Sequence, residues 1–179
     1  MRLCVRELAA AGFDPILVVW DRDRPRSPIE RICLADTGRY SDLPRGDFET
    51  VGILARQIER HLRGEMPAFD LDALNLEVLT PFQRRVLLAT REIPYGSVVS
   101  YGQLAARIGR PKAARAVGNA LGANPFPIAI PCHRVIRSDG SLGGFGSGIH
   151  LKQRLLDIEN ALICSQTPLS LSRQSRASM

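Results

Sequence analysis

Residues 100–122 read SYGQLAARIGRPKAARAVGNALG, and this stretch predicts a helix-turn-helix. Ser100 is a favourable N-cap for a first helix over residues 101–108, because its hydroxyl can accept a hydrogen bond from a free backbone N–H. Residues 109–110, Gly-Arg, predict the turn. Two short helices and a tight turn also occur in proteins that never contact nucleic acid, so the topology alone leaves the function open.

The second helix of this pair is predicted over residues 111–121. Pro111 suits its first position, where the missing N–H costs no hydrogen bond, and Gly122 predicts its end. The helix carries alanine and glycine where a sequence-reading helix would carry Asn, Gln and several Arg, while Lys112 and Arg115 supply charge. This composition favours a helix that presses against DNA, for example in the minor groove, without reading much sequence. The alternative is that the alanines pack against the protein core.

A cysteine beside a histidine follows in the segment 131–136, Pro-Cys-His-Arg-Val-Ile. The apolar residues 127–130 ahead of it predict a buried strand or extended segment, and the glycine-rich residues 140–148 predict a mobile loop. A thiol between a rigid buried segment and a loop that can close over a ligand is a candidate nucleophile. Alternatively, Cys132 is a small core residue. Neighbours on a strand point to opposite faces, so His133 would reach the sulfur through a turn or a water.

The N-terminal residues 1–75 predict an α/β unit. Residues 16–20 and 29–34 have the β-branched, apolar composition of strands. Residues 48–62 carry apolar side chains on one helical stripe, and Gly64 predicts the end of that helix. This part of the chain is expected to be a scaffold.

The remaining residues predict a second domain and a tail. Residues 68–79 bridge the two parts, and an amphipathic helix is predicted over residues 151–160. We therefore predict a domain over residues 76–162. The serine-rich residues 163–179 predict a disordered tail.

The composition is compatible with a DNA-binding globular protein. The chain has 179 residues, 45% of them hydrophobic, with a formal net charge of +6 and a pI near 9.7. A basic balance suits a nucleic-acid partner, although many cytosolic proteins are equally basic. No run has the length of a membrane-spanning helix and no signal-peptide pattern opens the chain, so we expect a cytoplasmic protein with no membrane partner. We separately expect a monomer.

The four cysteines are far apart and show no paired spacing, which fits a reducing compartment where Cys132 stays a thiol. Cys4, Cys33 and His61 could in principle join a metal site, but core or surface positions are favoured for them. We therefore expect no metal.

From residue 79 to residue 160 the chain resembles the O6-alkylguanine-DNA alkyltransferases. The matching pieces occur in order along the chain: Thr80-Pro81-Phe82-Gln83, Ile93-Pro94-Tyr95-Gly96, Ser100-Tyr101, Ala113-Ala114-Arg115-Ala116-Val117-Gly118, Asn124-Pro125, Pro131-Cys132-His133-Arg134-Val135 and Leu155-Leu156-Asp157-Ile158-Glu159. The cysteine motif together with the Ala-Ala-Arg-Ala-Val-Gly helix is highly specific to that family.

The resemblance implies a single-turnover DNA repair reaction. Cys132 would attack the alkyl carbon on O6 of a flipped-out guanine, with O4-alkylthymine as a further candidate substrate. His133 would be the general base acting through a bound water, Glu159 would orient it, and Asn124 would join the DNA-binding helix to the active-site segment. No cofactor is needed, because the lesion itself is the alkyl donor. The alternative for Glu159 is a solvated residue on the last helix.

The resemblance also implies the contacts to double-stranded DNA. Arg115 would fill the gap left by the extruded nucleotide, and Tyr101 would help to rotate that nucleotide out. The remaining DNA-binding positions are Arg110, Lys112 and Ser138.

The substrate pocket implied by the resemblance consists of Tyr101, Val135, Phe145 and Gly146. The chain departs from the family at Phe145, where tyrosine is frequent, and at Gly102, where glutamine is common. Gly146 can still offer a backbone N–H to O6. These departures bear on rate and lesion range more than on the type of reaction.

The fold implied is an α/β N-terminal domain with a small ribonuclease-H-like sheet plus helix. A mostly α helix-turn-helix domain, winged-helix-like, would follow and hold the DNA-binding and catalytic residues. Two other functions stay open from the residues alone. One is a non-catalytic helix-turn-helix protein that binds DNA or lesions, and the other is a Cys-His hydrolase.

Overall fold

A computed structural model describes residues 2–9, 13–34 and 37–160; the predicted tail lies outside these residues. The N-terminal part is a three-stranded antiparallel sheet in the order β1 (Leu3–Leu8), β2 (Ile16–Asp21) and β3 (Ile29–Cys33). Both predicted strands are confirmed. Strand β1 was not predicted, because two charged residues interrupt its apolar positions and hide the period-two pattern.

The helix α1 (Glu49–Leu62) packs on this sheet, and its prediction is confirmed to within one residue. Its buried stripe repeats at helical spacing with Val51, Leu54, Ala55 and Ile58, which are all at most 1% exposed. The sheet and α1 share one continuous hydrophobic core with the C-terminal helices.

The C-terminal part is mostly helical. It contains α2 (Pro81–Arg91), α3 (Tyr101–Arg107), α4 (Ala114–Gly122) and α5 (Ile149–Ile158), with the two-residue strands β4 (Val99–Ser100) and β5 (Val135–Ile136) paired in parallel. Helices α2 and α3 both begin at capping boxes, in which a Thr or Ser hydroxyl and a Gln side chain three residues later satisfy each other's backbone N–H. The fold is therefore a small antiparallel sheet unit followed by a helical unit.

Helix α4 begins three residues later than predicted. The Ala113 N–H donates to the Arg110 carbonyl at 2.8 Å, which closes a turn around Pro111. Proline suits the second position of such a turn as well as it suits a helix start, so the sequence signal was ambiguous. Gly122 is the last helical residue rather than a left-handed cap, because Ala123 ends the helix with an ordinary φ of −97°.

The strand or extended segment predicted over residues 127–130 is wrong, although these residues are buried as expected. These residues form a tight turn, in which the Ile130 N–H donates to the Phe126 carbonyl at 2.8 Å and Ile128 has a φ of +71°. The Asn124 side chain satisfies the backbone on both sides of the turn. The chain therefore reaches Cys132 through a compact buried turn without sheet pairing.

The N-terminal sheet touches this active-site segment directly. The Ile32 N–H of β3 donates to the Pro125 carbonyl at 2.8 Å. Of the two buried cysteines in the sheet, Cys4 faces the main core, whereas Cys33 packs with Val5 and its neighbours on the other face. Among the described residues, none of the helices is both long enough and apolar enough to span a membrane.

Candidate active site

Cys132 opens a one-turn 3-10 helix, Cys132–Arg134, directly after the buried turn. Its side chain is 6% exposed, and its Sγ accepts a hydrogen bond from Asn124 Nδ2 at 3.2 Å. The same Nδ2 donates to the Ile130 carbonyl at 3.0 Å, so Asn124 ties the end of α4 to the cysteine. Burial raises the pKa of the Cys132 thiol, while the Asn124 hydrogen bond and the nearby Lys152 charge oppose that rise. The resting sulfur is therefore a protonated thiol that needs a base.

His133 and Glu159 form a buried pair beside that thiol. His133 Nε2 lies 2.8 Å from Glu159 Oε1, although the two residues are 26 positions apart in the chain. With Nε2 donating to the carboxylate, Nδ1 is the nitrogen left to take a proton, and it has no partner among the described residues. Burial lowers the pKa of His133, while the bond to Glu159 opposes this. The 3-10 turn places His133 inside the protein, so the strand-based expectation for its direction does not apply.

Glu159 ends α5 and is 2% exposed, which excludes the solvated alternative. Arg134 holds its carboxylate through Nη2 on Oε1 and Nε on Oε2, both at 2.8 Å, and the Gly96 N–H donates to Oε2 at 3.2 Å. Arg134 also donates from Nη1 to the Ile93 carbonyl at 2.7 Å. Burial alone would raise the pKa of Glu159, but the bonds from His133 and Arg134 outweigh it and hold the pKa at about 2. The orienting group is thus a fixed carboxylate.

Sequence reasoning gave no role to Arg134 and passed over Lys152. Lys152 is fully buried in α5 and donates from Nζ to the carbonyls of Val135 at 2.5 Å and Leu142 at 2.6 Å. Burial lowers its pKa to about 8, which the nearby Cys132 opposes. Lys152 precedes the buried Leu155 and Leu156 by three and four residues. Because that spacing puts the three side chains on one helix face, it is the signal in the sequence that Lys152 is buried.

Tyr101, the first residue of α3, meets the glycine-rich loop. Its hydroxyl donates to the Gly144 carbonyl at 3.4 Å, and Lys152 Nζ lies 5.7 Å from its ring centroid. Gly143 has a φ of +69°, and a Cβ there would lie 2.8 Å from the Tyr101 hydroxyl oxygen. The loop can approach the tyrosine only because residue 143 is glycine. Burial raises the pKa of Tyr101.

The other predicted pocket residues differ in their burial. Val135 is fully buried in β5, and Phe145 is half-buried against the core. Gly146 and Asn124 line one cavity of about 210 Å³ that also reaches Arg39 of the N-terminal part. Sequence reasoning gave the N-terminal part only a scaffold role and did not predict that it would line a cavity at the site.

The predicted DNA-binding residues lie outside this buried cluster. Arg115 is exposed on the first turn of α4, and Arg110 and Lys112 are exposed in the turn that precedes it. Ser138 is exposed in the turn after β5, on a cavity shared with Ser100 at the start of α3. The structure therefore separates an exposed basic surface from a buried reactive centre.

The suggested grouping of Cys4, Cys33 and His61 is not formed, because the two cysteines belong to opposite faces of the sheet. His61 lies instead beside the His133–Glu159 pair, with its Nε2 3.4 Å from Glu159 Oε1. Burial lowers the pKa of His61 from 6.5 to about 4.

The buried histidines predict a protein that loses stability in mild acid. Below about pH 6.5 the unfolded chain protonates His61 and His133, whereas the folded chain resists until its lower pKa is reached, so the unfolded state binds more protons and is favoured. Glu159, with its lowered pKa, extends the loss below about pH 4.5. Thermal melting followed by circular dichroism should show a melting temperature that falls steadily from pH 7 to pH 4. A melting temperature that stays constant over that range would contradict the neutral state assigned to the histidines.

A buried thiol, a hydrogen-bonded His-Glu pair and a helix-turn-helix in one chain are typical of a DNA-associated protein with a candidate cysteine nucleophile. Residues 81–161 match the family described as "6-O-methylguanine DNA methyltransferase, DNA binding domain". A methylated-DNA–protein-cysteine methyltransferase from Salmonella typhimurium is 57% identical over 128 residues, covering 70% of this chain and 72% of that protein. Another, from Mycolicibacterium paratuberculosis, is 50% identical over 153 residues, 85% of each chain. The chain therefore belongs to the methylated-DNA–protein-cysteine methyltransferase family.

Solved structures of a relative agree with this assignment. A variant of the Mycobacterium tuberculosis protein OGT superposes with a TM-score of 0.73 at 33% identity, covering 94% of this chain and 97% of the other. The same protein in complex with DNA gives a TM-score of 0.71 at 32% identity, covering 89% and 93%. The similarity thus extends through the N-terminal sheet, where the sequence signal was weak.

Proposed function

We propose that the protein repairs DNA by moving the alkyl group of O6-alkylguanine irreversibly to Cys132. The observation that carries this proposal is the contact of the Cys132 thiol with Asn124 beside the buried His133–Glu159 pair, in a chain of this family. O4-alkylthymine is a second candidate substrate with the same kind of exocyclic alkoxy group.

The reaction needs one proton acceptor and no cofactor. The Cys132 thiol gives its proton, through one bound water, to Nδ1 of His133, and the resulting imidazolium is stabilised by Glu159. The thiolate attacks the alkyl carbon, so the S–C bond forms as the C–O6 bond breaks. Guanine leaves with the electron pair and takes up a proton, which restores the normal base. Asn124 and the charge of Lys152 lower the cost of the thiolate in a buried site.

DNA reaches this buried thiol by base flipping. Cys132 is enclosed, so a guanine stacked in a duplex cannot approach it. Arg115 enters the duplex from the first turn of α4 and fills the gap, while Tyr101 turns the nucleotide toward the site. Arg110, Lys112 and Ser138 bind the backbone from the exposed turns around α3 and α4.

Arg115→Ala is expected to slow repair of duplex DNA far more than reaction with free O6-benzylguanine. The free base needs no extrusion, whereas flipping costs a few kcal/mol, so losing about 2–3 kcal/mol of that support corresponds to roughly a hundredfold in rate. Rates on both substrates would be measured by quenched time courses. Arg154→Ala, on the outer face of α5, is the matched control and should leave both rates close to wild type. Equal losses on both substrates would mean that Arg115 serves the pocket.

The stoichiometry of the reaction tests the proposal itself. A dialkyl sulfide at Cys132 has no thiol exchange chemistry left, so one molecule should repair one lesion and stop. Repaired oligonucleotide should therefore reach a plateau at one equivalent per active protein. Turnover past that plateau would favour a hydrolase, and DNA binding without any transfer would favour a lesion-binding protein.

The finer architecture belongs to the same proposal. Three strands with α1 support a ribonuclease-H-like scaffold over residues 1–75, and the helices with the β4–β5 pair support a winged-helix-like domain over residues 76–162. We propose a cytoplasmic location, because the Cys132 thiol must stay reduced. We propose a monomer, because one flipped nucleotide needs only one copy of the site.

A further inference from the structure

His61 is a buried polar side chain that the proposed reaction does not use. It lies in the last turn of α1, is 1% exposed, and has no hydrogen-bond partner for Nε2 among the residues that the structure describes. That nitrogen lies 3.4 Å from Glu159 Oε1, and the His61 ring meets the His133 ring edge-on with centroids 6.1 Å apart. An unsatisfied buried nitrogen is costly, and this one is aimed at a carboxylate beside a second imidazole.

We propose that His61, His133 and Glu159 form a binding site for a divalent metal ion of the zinc type, and that its occupation switches the protein off. One ligand atom from each residue lies within 4.8 Å of the other two. Two imidazoles and one carboxylate are a donor set that suits Zn²⁺, with a fourth position left for water.

The two distances to Glu159 Oε1 need little adjustment to hold an ion, and the two imidazole nitrogens lie within 4.8 Å of each other. Metal–ligand bonds of about 2.0–2.1 Å in a tetrahedron put ligand atoms about 3.3 Å apart. The His61–Glu159 separation is 3.4 Å, and the His133–Glu159 separation of 2.8 Å has to widen by about half an ångström. Glu159 stays anchored by its other oxygen, which accepts from Arg134 Nε at 2.8 Å and from the Gly96 N–H at 3.2 Å. The Arg134 guanidinium, which donates to Oε1 from Nη2 at 2.8 Å, and the nearby Lys152 charge both oppose a second positive charge. A three-ligand site here therefore binds more weakly than a four-ligand structural zinc site.

The ion would enter from the surface between the two parts of the chain. A cavity of about 210 Å³ is lined by the buried His61 and Arg134, by Tyr95 and Phe69, and by the exposed Met66. Of the three ligands, His61 is the one that lines this cavity, so an ion in the cavity would meet His61 first.

Occupation would stop the proton relay. The metal takes Nε2 of His133 and Oε1 of Glu159, so the carboxylate no longer orients a neutral base, and the positive ion opposes an imidazolium next to it. The binding stands on the geometry alone, whereas the inhibition rests on the proposed alkyl transfer.

Nitrogen NMR tests the binding without any activity measurement. The chain has three histidines, and the exposed His150 is an internal control. Full-length Cys132→Ser protein labelled with ¹⁵N-histidine would be titrated with ZnCl₂, which removes the reactive thiol as a ligand. The Nε2 signals of His61 and His133 should shift together and saturate at one equivalent, while His150 stays unchanged. A shift of His150 alone, or no shift of His61, would overturn the site.

The effect on transfer is then measured with a ligand variant. Transfer from O6-benzylguanine would be compared with and without ZnCl₂, each rate referred to the same protein in EDTA. Wild-type protein should lose transfer in proportion to occupancy and recover it in EDTA, and His61→Phe should be insensitive at the same zinc concentration. Inhibition that persists unchanged in His61→Phe would place the ion on Cys132 and overturn the switch. If His61→Phe does not fold, His61→Leu replaces it with the same expected result. The NMR titration tests the binding in either case. Zinc binding without any alkyl transfer in EDTA would instead refute the proposed function and leave the site intact.

Discussion

Replacing Cys132 with alanine is expected to abolish alkyl transfer completely. The reaction forms a bond to sulfur, and an alanine methyl has no electron pair with which to attack the alkyl carbon. Binding to DNA should persist, because the exposed residues of α4 and its preceding turn are unchanged. Transfer of radiolabelled methyl from an O6-methylguanine oligonucleotide measures the loss, and a gel shift measures the binding.

Cys33→Ala is the matched control for this substitution. Cys33 is also a buried cysteine, but it packs with Val5 and Val19 in a cluster separate from the main core that contains Cys132. Its variant should transfer one equivalent like the wild type. Label that appears on Cys4, Cys33 or Cys164 in the Cys132→Ala protein would overturn the assignment of the nucleophile.

Glu159→Gln is expected to cost both stability and transfer. The amide removes the negative charge that Arg134 and His133 share, and leaves a buried guanidinium without its partner. Breaking a buried ion pair from one side costs about 3–5 kcal/mol, which corresponds to a fall in melting temperature of roughly 6–20 °C for a chain of this size. The His133 imidazolium also loses its stabilising carboxylate, so transfer should fall even at temperatures where the variant is folded. Thermal melting and the rate with O6-benzylguanine, measured well below the melting temperature, separate the two effects.

Glu65→Gln provides the comparison for stability. Glu65 pairs with Arg60 and Arg63 at the protein surface, where solvent screens the interaction. Its variant should melt close to the wild type. A Glu159→Gln protein that melts and reacts like the Glu65→Gln protein would show that the buried carboxylate has no part in the site.

Local signals in the sequence predicted most of the helical unit. Ser100 and Gln103 specify the start of α3 through hydrogen bonds that span three residues. Because both residues are local in the chain, the start of this helix can be predicted from the sequence alone. The start of α4 was placed wrongly because Pro111 fits both a turn and a first helical position. The apolar residues before Cys132 predict a buried strand or extended segment but form a turn, since apolar composition indicates burial and not whether a sheet partner is present.

The reactive centre was only partly accessible to sequence reasoning. Cys132 and His133 are adjacent in the chain, but their partner Glu159 came from the family resemblance, because its contact spans 26 residues and forms only on folding. The residue types of Arg134, Lys152 and His61 do not indicate that these charged or polar side chains are buried. Their partners are backbone carbonyls or groups far along the chain, so the contacts form only on folding. Polar residues of this kind are usually exposed, so composition alone argues against finding them in a core.

The fate of Cys132 after reaction with damaged DNA tests the proposed mechanism most directly. Trypsin releases residues 116–134 as a peptide in which Cys132 is the sole cysteine. After incubation with an oligonucleotide that contains one O6-methylguanine, mass spectrometry should find this peptide heavier by one CH₂ group, in an amount equal to the guanine restored. Guanine restored while the peptide keeps its original mass, or a methyl group found on another residue, would contradict direct transfer to Cys132.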